Sequence, residues 1–327
     1  MRLLISLLWL ACMGAAALAD ACPHHPDAIG TGRSITVDPG VLPRIGTMQY
    51  KDTLPLADHE VVITFDDGPL PPFTTHVLAT LRENCAKATF FLVGAMARAY
   101  PWVVRRIYND GHTIGTHSEN HPFALNRRSM AFVEREVDTG IASVTAAVGD
   151  PRAVAPFFRV PGLARSDPIE TFLAARSLAV WSADEVADDW FHGIAPDQIV
   201  RRALDRLEKH DHRGVLLLHD IHPATALALP KLLAALRERG YRIVQVVAPG
   251  ERPASVPDLT PPVAADAGVP RIMTAVATPQ TRQATRMLRR GAHARFTQDR
   301  RTEDAADAEG RRTAKTSHAV SAAERTP

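Results

Sequence analysis

Thr64-Phe65-Asp66-Asp67-Gly68-Pro69 closes an apolar run, Val61-Val62-Ile63, whose β-branched side chains suit a buried strand. Gly68-Pro69 then stops the strand and turns the chain. Two adjacent carboxylates at the end of such a strand are costly to desolvate together unless a cation or a shared proton relieves their repulsion. The pair Asp66-Asp67 therefore asks for a metal whose other ligands the chain must supply. Read alone, the same residues also suit a plain turn with both carboxylates in water.

Gly115-Thr116-His117-Ser118-Glu119-Asn120-His121-Pro122 offers those ligands. Histidines four apart can face one side of a helical turn, and with a carboxylate oxygen His117 and His121 make three protein ligands. Three ligands leave a position open for water, as in catalytic rather than structural zinc sites. A divalent metal, zinc first, is the expected cofactor, although imidazole and carboxylate suit other ions as well. The segment is not a zinc-protease helix, because Ser118 stands where that motif needs Glu and Pro122 discourages helix. The competing reading makes His117 and His121 surface groups, or a helix start capped by Ser118. Ser118 and Asn120 are candidates to orient the ligands by hydrogen bonds. His112 reads as structural, and His24, His25 and His59 as peripheral.

Thr64 to Pro69 and His117-Ser118-x-x-His121 resemble the first two signature motifs of the polysaccharide deacetylases, carbohydrate esterase family 4 with its NodB-homology domain. Arg159-Val160-Pro161-Gly162, Asp188-Asp189-Trp190 and Leu217-Leu218-His219-Asp220 follow in the family's order, so the resemblance covers roughly residues 60 to 245. It implies an α/β fold, a distorted and incomplete (β/α) barrel of about seven parallel strands in a single catalytic domain, short of the regular eight. It implies Asp67 as a metal ligand beside His117 and His121, Asp66 as general base, and Arg159 as the clamp on Asp66, a task suited to a planar guanidinium. His219 is the implied general acid, with a carboxylate partner that would raise its pKa.

The family motif reads Asp, two residues, Asp-Trp, whereas here Val186 stands three before Asp189. Asp184, Asp188 and Asp189 therefore compete as the partner of His219, with Asp189 preferred. Trp190, Leu217 and Pro161 are placed against the substrate, Trp190 as an apolar wall and Leu217 at an acetyl methyl. A backbone N–H just after the Asp-Asp-Gly turn would serve the oxyanion. The implied function is metal-dependent hydrolysis of acetamido groups on N-acetylated sugars of a polysaccharide or oligosaccharide, with release of acetate. Two other classes stay open: a non-catalytic carbohydrate-binding relative, and a hydrolase of small amides or cyclic ureas. Without the family, Arg159 also reads as a surface arginine and His219 as a satisfied core residue.

The 327 residues are 46% hydrophobic and 23% charged, an ordinary globular composition, and a net charge of +2 gives no argument for nucleic acid. Arg2, the apolar run Leu3 to Leu10 and Ala17-Leu18-Ala19 read as a secretory signal peptide over residues 1–19. That run is too short for a stable membrane span, which needs roughly 20 apolar residues. The expected location is the periplasm or the medium. Cys12 leaves with the signal, and an oxidising compartment would let Cys22 and Cys85 pair within the chain; the alternative is two unpaired thiols.

Residues 20–60, rich in Pro and Gly, read as an arm that wraps the domain. Over 61–249, the expected catalytic domain, strands and helices alternate. Strands are expected at Val61–Phe65, Ala88–Val93, Phe157–Phe158, Ser177–Trp181, Gly214–His219 and Tyr241–Val247. Helices are expected at Thr74–Asn84, Pro101–Asn109, Met130–Val148, after an N-cap at Ser166, at Pro196–Lys209 and at Pro223–Arg239. The alternation argues for a parallel sheet, open or closed, with the chemical groups at the strands' C-terminal ends. Residues 250–327 read as a disordered tail, in which Arg286, Arg289, Arg290 and Arg295 are either a basic turn or, the preferred reading, solvated charges.

Overall fold

Alternation along the strands sorts the apolar side chains of this chain into an inner and an outer layer. A computed structural model describes Cys22 and residues 25–259; the expected signal peptide, His24 and most of the expected tail lie outside the described residues. The strands are β1 (Thr31–Thr36), β2 (Arg44–Ile45), β3 (Glu60–Asp66), β4 (Thr89–Leu92), β5 (Thr113–Thr116), β6 (Val154–Arg159), β7 (Ala179–Trp181), β8 (Glu185–Val186), β9 (Gly214–His219) and β10 (Arg242–Val247). The helices are α1 (Phe73–Glu83), α2 (Gly94–Ala99), α3 (Pro101–Asn109), α4 (Met130–Val148), α5 (Asp167–Ala175), α6 (Pro196–Lys209) and α7 (Pro223–Glu238).

All strand pairings among the described residues are parallel. The run β8-β9-β3-β4-β5-β6-β7 accounts for seven of the ten strands, and β7 and β8 do not pair with each other, so the barrel is incomplete. β10 branches from the start of β3 and carries β1 on its far side.

Val62, Phe91, Phe157, Trp181 and Val215 fill the interior, where the Trp181 ring meets Phe91 at 5.5 Å and Phe157 at 5.3 Å. Gly115 lets β5 pass these rings, since a Cβ there would lie 2.8 Å from the Phe91 ring. Val61, Ile63 and Phe65 point the other way and pack with Leu78, Leu81, Leu207, Leu232 and Leu236 of the surrounding helices. Each such side chain contributes roughly 1.5–3 kcal/mol by leaving water. A third cluster joins Val133 and Val137 of α4 and Leu173 of α5 to Phe158 and Val180.

The segment expected as an arm does more than wrap. It supplies β1 and β2, and β2 covers the free edge of β7 beside the gap in the barrel. Asp184 bridges that gap: its carboxylate accepts from Thr47 N at 2.7 Å, Thr47 Oγ1 at 2.9 Å, Thr53 Oγ1 at 2.8 Å and Val215 N at 2.7 Å. Gly46, at φ 110°, is required there because a Cβ would meet the Ala183 backbone nitrogen at 2.7 Å.

Other differences from expectation are local. Residues 251–259, expected as the start of the tail, lie along α3: Asn109 donates to Val256 O at 3.0 Å and accepts from its N–H at 2.9 Å. Ser166 is at the N-cap of α5, but its hydroxyl makes no capping bond. Cys22 and Cys85 are disulfide-bonded, with Cα atoms 5.7 Å apart, tying the segment before β1 to the end of α1. No described helix is long and apolar enough to cross a membrane.

Replacing Asp184 by Ala leaves the Val215 and Thr47 N–H groups without their acceptor beside the barrel gap. Each buried donor left unpaired costs about 1–3 kcal/mol, so denaturant unfolding should show a loss of about 2–4 kcal/mol. An unchanged midpoint would mean that the arm does not close the barrel.

Candidate active site

Strand β3 ends in Asp66, β6 in Arg159 and β9 in His219, while His117 directly follows β5. Register places Asp66 opposite His219 on one side and Phe91 on the other. Parallel strands therefore deliver these groups to one C-terminal rim.

Thr64 and Asp66 share the inward face of β3, two residues apart. Arg159 reaches both, from Nη1 to Thr64 Oγ1 at 2.8 Å and to Asp66 Oδ1 at 2.6 Å. Its Nη2 donates to Ser182 O at 2.8 Å, and its guanidinium lies over the Phe91 ring, 4.2 Å from the centroid. Arg159 has no exposed surface, so it is not a surface arginine. Thr64 and the Ser182 carbonyl were invisible as site groups in the sequence, since neither carries charge.

Asp67 takes a left-handed φ of 77°, which turns the second carboxylate away from the first. Gly68 follows because Asp220 is packed against it; a Cβ there would lie 2.3 Å from Asp220 Oδ2. Asp67 Oδ1 lies 3.1 Å from His121 Nε2 and 3.4 Å from His117 Nε2. One donor atom from each of the three lies within 4.8 Å of the others, and all three residues are buried. His117 Nδ1 stands 2.6 Å from the Arg159 carbonyl, an acceptor only, so Nδ1 carries the proton and the Nε2 lone pair faces Asp67. Asp67 Oδ1, though buried, accepts no hydrogen bond. Burial pushes the Asp67 carboxyl up, yet His121, His117 and His219 hold it well below the usual carboxylate range. An ionised carboxylate with two imidazoles beside it, that of His117 turned lone pair inward, fits a divalent cation.

The histidines do not share a helical turn as the spacing suggested. Ser118 and His121 have φ of 64° and 52°, and the His121 N–H donates to Ser118 Oγ at 3.1 Å, forming a tight loop. Ser118 thus shapes the loop, whereas Asn120 turns away to bond Glu136 of α4 at 2.8 and 2.9 Å. Gly140 of α4 lets that loop sit close, a Cβ there meeting the Ser118 backbone at 2.6 Å.

Among the three aspartates, Asp189 is the one beside His219. Its Oδ1 lies 2.8 Å from His219 Nδ1, and its Oδ2 accepts from the His219 N–H and from Thr225 Oγ1, both at 2.7 Å. Asp184 closes the barrel, and Asp188 Oδ2 accepts from Arg202 at 2.8 Å and Arg206 at 2.7 Å. Burial lowers the His219 pKa, but Asp189 first, then Asp67 and Asp66, raise it to about 9. His219 is therefore an imidazolium at neutral pH, not a neutral core residue.

Trp190 is half-buried and meets the His219 ring edge-on at 5.5 Å. Leu217 is buried between Val215 and His219 on the inward face of β9, and Pro161 opens the short turn after Arg159. The Leu70 N–H, first after the Asp-Asp-Gly-Pro turn, donates to Thr74 Oγ1 at 2.7 Å and so is not the spare oxyanion donor expected there. Asp220, to which the sequence assigned no task, receives the Thr74 hydroxyl at 2.6 Å, and burial raises its pKa to about 7. His112 is buried, accepts from the Ala88 N–H at 3.2 Å, and is pushed by burial down to about 3.

Comparison with known proteins adds an independent line. Residues 54–180 match the family model described as polysaccharide deacetylase, which ends before Asp189 and His219. The chain is 33% identical over 185 residues to a peptidoglycan-N-acetylglucosamine deacetylase of Bacillus cereus, covering 55% of this chain and 66% of that protein, just under two thirds. A second B. cereus protein of the same description is 34% identical, over 57% of this chain and 85% of its own length. The chitooligosaccharide deacetylase of Sinorhizobium fredii is 36% identical, over 56% of this chain and 88% of its own. Among solved structures, the peptidoglycan deacetylase of Bdellovibrio bacteriovorus has a TM-score of 0.58 at 31% identity, covering 66% of this chain and 58% of that one. From the motifs, the site they assemble and these matches, the chain belongs to the polysaccharide deacetylase family of carbon–nitrogen hydrolases.

Proposed function

We propose that this protein removes acetyl groups from N-acetylated sugars in a glycan, using a divalent metal, zinc first, held by Asp67, His117 and His121. The observation that carries the reading is a base and an acid, each fixed by its own buried partner, on paired strands beside the three donors: Asp66 on Arg159 and His219 on Asp189. A binding relative has no need of both. A metal held by the three donors supplies Lewis acidity, polarising a carbonyl oxygen and making water easier to deprotonate.

Asp66 accepts the proton of the attacking water, and Arg159 keeps its carboxylate aimed. His219, charged and aimed by Asp189, gives its proton to the amine nitrogen as the carbon–nitrogen bond breaks. Acetate and the free amino sugar leave, and the proton taken by Asp66 balances the one given by His219. Trp190 and Leu217 wall the acetamide from water, with Pro161 at the rim beyond Arg159. The Cys22–Cys85 disulfide supports export to the periplasm or the medium, since such bonds persist in oxidising compartments. The names of the relatives make peptidoglycan and chitin oligomers the first glycans to try.

The test is acetate release from N-acetylglucosamine oligomers and from peptidoglycan, with zinc, with chelator, and with Asp66→Asn. Release should stop with chelator and fall about 10²–10⁴-fold in Asp66→Asn, the usual contribution of a general base. No release from any acetylated glycan by zinc-loaded protein would overturn the reading and favour a carbohydrate binder or a small-amide hydrolase.

The pH profile provides a second check. The acid form of His219 is present below its pKa and lost above it, so activity should fall on the alkaline side. A metal on Asp67, by offsetting that residue's share of the raise, would place this limb below about 9. Asp189→Asn removes the largest raising influence and leaves the burial that lowers, so this alkaline limb should move to lower pH. A limb that stays in place would remove His219 as the acid.

A further inference from the structure

Five large apolar side chains are well exposed among the described residues, and Phe191, at 40%, is the aromatic one. Its place is not random. The Phe191 ring meets Trp190 edge-on at 5.6 Å, and Trp190 in turn meets His219 edge-on at 5.5 Å. Phe191, more exposed than the half-buried Trp190, is thus the outer ring in a succession of edge-on contacts that starts at the acid.

The ring is also braced. The Arg202 guanidinium lies 5.5 Å from its centroid, a cation on an aromatic face. Arg202 is held by Asp188, which also receives Arg206, and Asp188 sits at a left-handed φ of 55°. Left-handed backbone at a non-glycine residue costs of order 1–3 kcal/mol and persists where surrounding contacts impose it. Asp188 thus has a task separate from that of Asp189: it fixes the cation that fixes the ring. Arg202 remains 37% exposed and bonds Asp188 through Nη1, one of its three guanidinium nitrogens.

A pyranose is amphipathic, with C–H groups on its faces and hydroxyl or acetamido oxygens around its rim. A rigid aromatic ring suits the first and an adjacent guanidinium the second. We propose that Phe191 and Arg202 form a saccharide subsite outside the catalytic centre, which binds a neighbouring sugar of the N-acetylated glycan chain. The subsite rests on the deacetylase reading, and it makes the protein an enzyme of chains rather than of single sugars.

The test compares the full-length, zinc-loaded protein with Phe191→Ala, Phe191→Leu and Phe191→Tyr on N-acetylglucosamine dimer and pentamer. The unmodified protein should prefer the pentamer in kcat/KM. The ratio of pentamer to dimer should fall about tenfold in Phe191→Ala and Phe191→Leu, and persist in Phe191→Tyr; tenfold corresponds to about 1.4 kcal/mol. No length preference in the unmodified protein, an equal loss on both substrates, or full activity in Phe191→Leu would overturn the subsite. If no glycan is turned over at all, the deacetylase reading fails by itself. Calorimetric binding of the pentamer then decides the subsite: weaker binding to Phe191→Ala supports it, and equal or absent binding to both proteins overturns it.

Discussion

A guanidinium taken wholly out of water costs several kcal/mol unless its donors find acceptors, and Arg159 sits without exposed surface inside the barrel. The rim is arranged around its two terminal nitrogens, while Nε has no hydrogen-bond partner among the described residues. Thr64 and Asp66 supply acceptors from β3, Ser182 supplies a carbonyl from the end of β7, and Phe91 lies beneath the planar group. Ser182 is itself tied to β2 by its N–H, which donates to Ile45 O at 2.7 Å. Arg159 also serves the metal side through its backbone, because its own carbonyl fixes the tautomer of His117. One buried residue thus aims the base with its side chain and a metal ligand with its main chain, and neither can be adjusted alone.

The opposite side of the rim has a comparable arrangement with the charges exchanged. Asp189 is the buried anion, and it holds the His219 ring with Oδ1 and the His219 N–H with Oδ2, which also accepts from Thr225. Asp66 and His219 stand on paired strands, so base and acid are held apart by partners of opposite sign rather than by distance. Burial disfavours the charge on Asp189 and on His219, and their mutual attraction outweighs it on both, lowering one pKa and raising the other.

What the sequence made legible were the local signals. The aliphatic runs of β3 and β9, the helices from Pro101 and Pro196, and the seven-strand barrel follow from periodicity, turn residues and the family motifs. The arm's strands were hidden because β1 and β2 are short, polar and paired only with distant partners, so nothing nearby marks them as sheet. The choice among Asp184, Asp188 and Asp189 was equally out of reach. All three are buried carboxylates close together in sequence on either side of β8, and only three-dimensional placement gives one to the barrel gap, one to the arginines and one to His219. Asn120 misled for a related reason, since proximity in sequence to the histidines says nothing about α4 arriving from the side.

The pairing of β1 with β10 has a consequence for how such a chain comes into being. Thr31 lies beside Ile243 and Thr36 beside Val247, so the first strand waits for the last before its edge is satisfied. A chain appears N-terminus first, and long-range pairings are slow to form. Until residue 247 has emerged, β1 has no neighbour in the sheet and the start of β3 lacks its β10 partner. Completion of the sheet therefore belongs to the whole chain at once, and a fragment that ends before β10 would keep all five motifs yet lack the strand that joins its two ends.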